Sequence, residues 1–183
     1  MATALHVVGG EVTGIHLVIP RENLSQYQDM TNKEYRMFPA ELVATDPIRD
    51  LAVLEVPGAE ASFDFRVTGT DSVAAGDPVV TLGFPHADAG RIVLTQQQKT
   101  VGARVLMGNQ GIKSKYLVLN TLLRPGQSGG PVINPLTREV IAVLVGAYVP
   151  EGPRAMMLIG NLDPATLHQT THAVSAEYLL AMS

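Results

Sequence analysis

The chain has 183 residues, of which 46% are apolar and only 16% charged, well below the ~25% charged of typical globular domains, so a disordered chain is excluded. Its net charge of −4, with no Lys/Arg cluster, gives a nucleic-acid partner no electrostatic support. There is no cysteine, which excludes disulfides, zinc-thiolate sites and a cysteine nucleophile.

The length suits one domain, with room for a core divided between two half-barrels. No apolar run approaches the ~20 residues that cross a bilayer. Met1-Ala2-Thr3-Ala4-Leu5 has neither the basic start nor the apolar core of a signal peptide. In chain order, Thr3–Val8 predicts one helical turn capped by Thr3 and ended by Gly9-Gly10. Val12–Pro20 reads as a strand with Ile15, Leu17 and Ile19 on one face and His16 on the other. Arg21–Arg36 is polar and aperiodic, which suits a surface loop. Ala40–Ala44 is a second strand, Thr45-Asp46-Pro47 a turn, and Asp50–Val56 a third strand that Asp50 opens.

Pro57–Gly76 is rich in turns, and Pro78–Phe84 is a further strand. The Pro85–Gly90 loop is the expected crossing between halves. Arg91–Gln97 and Thr100–Leu106 are expected to pair as a hairpin, and Lys115–Leu122 leads into a glycine turn. Beyond it, Pro131–Asn134 and Val140–Val149 form a hairpin about Pro135–Arg138, and Met156–Ile159 suits one more strand. The chain closes on Ala173–Met182, with Ser175 placed to cap a short helix. Many short β segments with almost no helix make this an all-β protein, a barrel or a sandwich.

The chemistry centres on Arg124-Pro125-Gly126-Gln127-Ser128-Gly129-Gly130-Pro131. Three glycines permit a backbone path that a Cβ would block, holding the Ser128 hydroxyl clear while neighbouring N–H groups converge. The spacing also fits the G-x-S-x-G elbow of α/β-hydrolases, with Asp163 and His168 or His172 downstream. That elbow needs a helix directly after the serine, and the Gly-Gly-Pro that follows forbids one. The opposite order, histidine then aspartate then serine, is supplied by His6, Asp50 and Ser128.

"TALHVV" around His6, "TDPIRDLAVLEV" around Asp50, "GDPVVTLGFP" and "RPGQSGGPVIN" around Ser128 resemble the HtrA/Deg-type, trypsin-like serine proteases. "HAVSAEYLLAM" is similar to that family's last strand and C-terminal helix. The resemblance implies a chymotrypsin-like double β-barrel with a short C-terminal helix. Its halves would be about 1–85 (first barrel), 91–174 (second barrel) and 175–183 (helix). It also implies a serine endopeptidase in which Ser128 attacks the peptide carbonyl, His6 moves the proton, and Asp50 orients the imidazole. The N–H groups of Gly126 and Ser128 would bind the oxyanion.

Leu122 takes the place at the base of the primary specificity pocket, followed by Leu123, so an apolar or small side chain is expected before the scissile bond. Gln127 replaces an aspartate that pairs with a freed N-terminal amine in digestive relatives. The implied partner is a peptide or unfolded protein, a homo-oligomer is compatible with the family, and an extracytoplasmic location is favoured. No cofactor is implied. A metal at His168 and His172 is not expected, because no third ligand is evident.

Two strands precede the histidine in relatives, whereas five residues do here. The first barrel is therefore expected to lack its initial strands, with exposed edges and an unfilled core. A start placed too far downstream is the favoured explanation, ahead of a fragment or a partner chain completing the sheet. A truncated barrel that binds peptides without cleaving them is the alternative function.

Overall fold

The computed structural model describes residues 1–9, 14–20, 26–32, 34–58, 65–148 and 170–182. Its first half holds β1 (Ala2–Ala4), the one-turn helix α1 (Leu5–Val8), β2 (His16–Pro20), β3 (Tyr35–Pro39), β4 (Glu41–Asp46) and β5 (Leu51–Glu55). These form two separate sheets, one in the order β1-β5-β4 and the other a β2–β3 ribbon. Among the described residues these strands do not close into a barrel. An apolar cavity of about 810 Å³, walled in part by Leu17, Val43, Val53, Pro131, Val140 and Leu179, lies against them.

The second half contains β6 (Arg66–Val67), β7 (Pro78–Gly83), β8 (Thr95–Asn109), β9 (Ile112–Leu119), β10 (Pro131–Asn134), β11 (Glu139–Tyr148) and β12 (Thr170–Ser175). A 3₁₀ helix, Ala176–Ala181, follows β12. Six of these strands close into a barrel, because β10 pairs with both β7 and β11 at the ends of the run β7-β8-β9-β12-β11. The short β6 is added in parallel to β11. Val79, Val101, Leu117, Leu119, Val132, Ile141 and Leu144 fill the barrel and are almost fully buried. Each such side chain is worth about 1.5–3 kcal/mol against exposure. A second cluster of Leu51, Tyr116, Val143 and Val174 joins β5 to the barrel, which fixes one half on the other. The result is an all-β, chymotrypsin-like double barrel whose first member is open among the described residues.

Several elements differ from expectation, each for a local reason. Thr3 lies in β1 rather than capping α1, and Gly9 ends the helix at φ 69°. β3 occupies part of the stretch read as a loop; it is mostly exposed, so no burial alternation marks it. The hairpin expected within residues 91–106 is instead the single 15-residue strand β8. Gln98-Lys99 offers no turn former. The reversal comes at Gln110-Gly111, both at positive φ (49° and 80°), as a tight hairpin turn demands.

Since β7 already pairs with β8 and β10, the crossing between halves precedes it and is not the Pro85–Gly90 loop. Ser175 stands at the cap of the last helix, but its hydroxyl accepts from the Thr70 N–H (3.1 Å) instead of capping. Met156–Ile159, Asp163 and His168 lie outside the described residues. Among the described residues no group of acidic or histidine side chains could hold a metal, and no helix is long and apolar enough to cross a membrane.

Candidate active site

α1, directly after β1, carries His6, and the turn before β5 carries Asp50. The two strands pair directly, Ala4 opposite Leu51, so the residues just beyond them meet. Three contacts join them: the Leu5 N–H donates to the Asp50 carbonyl (2.9 Å), the His6 N–H donates to Asp50 Oδ1 (2.8 Å), and His6 Nδ1 lies 2.5 Å from Asp50 Oδ2. The pairing of β1 with β5 extends to Met1, whose carbonyl accepts from the Leu54 N–H. The imidazole is about half exposed (49%) and the carboxylate a third exposed (33%). Asp50 has φ 58°, a left-handed conformation that costs roughly 1 kcal/mol or more outside glycine.

Around Ser128 the backbone groups can be accounted for one by one. The Pro125 carbonyl accepts from the His86 N–H (2.8 Å) and the Gly126 carbonyl from the Phe84 N–H (3.3 Å). The Gln127 N–H is taken by the Arg124 carbonyl (3.1 Å), and the Gln127 carbonyl accepts from the Gly130 N–H (3.0 Å). Two donors remain: among the described residues neither the Gly126 nor the Ser128 N–H has an acceptor. Such a pair beside a hydroxyl is what an oxyanion needs.

All three glycines of the turn are sterically required. A Cβ on Gly126 (φ 85°) would collide with the Phe84 carbonyl, one on Gly129 (φ 81°) with the Thr3 hydroxyl, and one on Gly130 with the Leu82 carbonyl. The closeness of Gly129 to Thr3 lets β1, which leads into the helix bearing His6, lie against the turn carrying Ser128.

His6, Gly126 and Ser128 line one pocket of about 540 Å³, whose remaining wall is apolar: Val7, Val18, Phe84, Ala87, Ile92 and Pro125. The Ser128 hydroxyl and the His6 ring share this pocket without a hydrogen bond between them; such bonds are often long before substrate binds. Leu122 is 41% exposed near the turn, whereas Leu123 packs on the barrel core. His16 is exposed, with Nδ1 on the Gly14 carbonyl, and His86 sits in its loop at φ 67°. His172 lies on β12, where burial holds its imidazole below the ordinary value.

Two residues at the site make contacts that the sequence reading did not give them. Gln127 is buried (2%), its Oε1 accepting from the Arg124 N–H (2.8 Å) and its Nε2 donating to Gln97 Oε1 (3.1 Å). Arg49, beside Asp50, is held by groups from both halves. A long-range amide pair leaves no local pattern, and an arginine in a turn reads as solvated.

A profile of the trypsin-like peptidase domain matches residues 1–143. A probable periplasmic serine endoprotease, DegP-like, from Brucella suis is 29% identical over 117 residues, covering 62% of this chain and 21% of that protein. The periplasmic serine endoprotease DegP of Escherichia coli is 25% identical over 147 residues, covering 78% and 29%. The chain thus spans less than a third of the length of these relatives.

Among solved structures, the MamO protease domain of Magnetospirillum magneticum superposes with a TM-score of 0.66 at 21% identity, over 100% of this chain and 81% of that one. The HtrA-type protease AlgW, solved with a decapeptide, gives 0.64 at 18% identity, over 99% and 46%.

Proposed function

The chain belongs to the trypsin-like peptidase family and is of the HtrA type, and from that membership we propose a serine endopeptidase worked by His6, Asp50 and Ser128. The observation that carries the reading is the hold of Asp50 on His6 Nδ1 while His6, Gly126 and Ser128 line one pocket. With the Nδ1 proton donated to the carboxylate, Nε2 keeps its lone pair and serves as the base.

Ser128 Oγ attacks the carbonyl carbon as its proton passes to Nε2. The carbonyl oxygen becomes an oxyanion facing the Gly126 and Ser128 N–H groups. The imidazolium then returns the proton to the leaving amine, and the acyl-enzyme remains. Water, deprotonated by the same nitrogen, releases the acid and regenerates Ser128. An oxyanion donor of this kind is worth about 10²–10³ in turnover.

The apolar pocket wall and Leu122 suit a peptide or unfolded segment with apolar side chains near the scissile bond. The periplasmic relatives favour a location outside the cytoplasm. In this reading residues 1–183 act as one peptidase domain.

A fluorophosphonate probe tests the proposal directly. Labelling at Ser128 that vanishes in S128A and falls sharply in H6A is the expected result, together with cleavage of an unfolded protein. A wild-type chain that takes no label yet binds peptides would support the non-cleaving alternative and end the peptidase reading.

A further inference from the structure

Asp50 occupies a backbone conformation that non-glycine residues keep only when their surroundings impose it. Its own contacts with Leu5 and His6 lie within the open first half. Those from the residues just before it reach the closed barrel. Asp46 Oδ1 accepts the N–H groups of Ile48 and Arg49 (both 3.1 Å), which shapes the turn. Asn109 on β8 donates to the Ile48 carbonyl (2.9 Å).

Arg49 does most. Its Nη1 bonds Asp46 Oδ2 (2.6 Å), its Nε donates to the buried Ser114 Oγ on β9 (2.9 Å), and its guanidinium lies 4.1 Å from the centre of the Tyr178 ring. Tyr178 is fixed in turn, since its hydroxyl accepts from the Lys115 N–H (2.9 Å) and its ring packs on the cluster around Leu51. A planar fork clamped on three sides is a use of arginine that lysine cannot reproduce.

We propose that Arg49 is a positioning residue: clasped between Asp46, Ser114 and Tyr178, it ties the turn bearing Asp50 to the barrel bearing Ser128 and so holds the carboxylate on His6 Nδ1. The proposal rests on the peptidase reading for its kinetic consequence but not for its structural one. The barrel supplies both the nucleophile and the anchor of the acid, so acid and base stay in register with the hydroxyl although their own sheet is open. Misplacement by about 1 Å costs on the order of 10²-fold in rate. Loss of one clasp among several anchors is expected to cost less, about 10-fold.

The experiment compares R49M, R49K, Y178F and Y178L in the full chain. In R49M and Y178L, kcat on a peptide substrate is expected to fall about 10-fold with KM unchanged, and the double variant to fall no further than either single one. R49K is expected to behave like R49M, while Y178F, which keeps the ring, stays within a few-fold of wild type. The activity-independent readout is the low-field Nδ1 proton of His6, seen by NMR in the ligand-free protein. It should be sharp in wild type and Y178F, and broadened or lost in R49M and Y178L.

An unchanged proton signal in R49M overturns the proposal whatever happens to turnover. So does full turnover in R49M, or restoration by R49K. If R49M fails to fold, R49K and Y178L carry the same comparison. A wild-type chain that shows the signal but cleaves nothing sinks the peptidase reading alone, and the clasp is then judged by the signal.

Discussion

Gln127 Oε1 accepts a 2.8 Å hydrogen bond from the Arg124 N–H, and the same amide group donates from Nε2 to Gln97 across the barrel wall. This neutral side chain ties the start of the turn to β8; among the described residues that turn leaves the Gly126 and Ser128 N–H groups without acceptors. Replacing it with alanine strands polar groups at a buried site, which costs about 1–3 kcal/mol. Q127A is therefore expected to melt earlier and to lose about 10²-fold in kcat as the Gly126 donor loses its aim. Thermal melting with steady-state kinetics checks this, and wild-type kcat in Q127A would show that the turn holds itself.

Gly129 meets Thr3 so closely that no side chain fits between them, and its φ of 81° disfavours any other residue. G129A is expected to push β1 away from the turn and to destabilise the fold by about 2 kcal/mol or more, in the range of strain plus overpacking. Chemical denaturation measures the loss. Fluorophosphonate labelling of the variant should slow as well, because the displaced strand leads directly into the helix bearing His6. G129A with unaltered stability would mean that the strand has room to move.

Asp50 touches His6 through both carboxylate oxygens. D50N keeps the shape but allows the amide to favour the wrong imidazole tautomer, so kcat is expected to drop about 10⁴-fold with little change in melting. Peptide hydrolysis across pH 5 to 9 is the measurement. A loss of less than about tenfold at every pH would separate Asp50 from the chemistry.

Much of this site was legible because local chain chemistry dictates it. Gly126 and Gly129 announce a turn that tolerates no Cβ, and Asp50 stands out as a carboxylate opening an apolar strand. The hairpin of β10 and β11 followed from Pro135–Arg138 between two apolar runs. What stayed hidden depends on partners distant in sequence. Gln97 and Gln127 meet only because β8 runs beside β7 and the serine turn. Arg49 reads as solvated until Tyr178 arrives from the far end of the chain. β3 was missed because strand pairing without burial leaves no hydrophobic period. Leu123, named with Leu122 for the specificity pocket, packs on the barrel core.

His172 gives a pH dependence whose sign is fixed. Burial holds its folded-state value below the ordinary 6.5, with a smaller opposing contribution from a backbone hydrogen bond at Thr170. The unfolded chain therefore takes up the proton first as the pH falls. The stability associated with the neutral ring is complete above about 6.5 and declines below it, levelling once the folded form also protonates. H172F is expected to flatten that slope between pH 7.5 and 5, read by urea unfolding at each pH. An identical slope in wild type and variant would assign the acid sensitivity to other groups.

Among the described residues, the turn bearing Ser128 joins a ring of six strands that closes on itself, while His6 follows β1 of a three-stranded sheet that does not close. Heat should dismantle the two unequally, since sub-global opening starts where backbone is least enclosed. Amides of β1 and β4 would then exchange with solvent well before those of β8 and β9. Inactivation on warming would also run ahead of the loss of β signal, leaving an intact barrel with an idle serine.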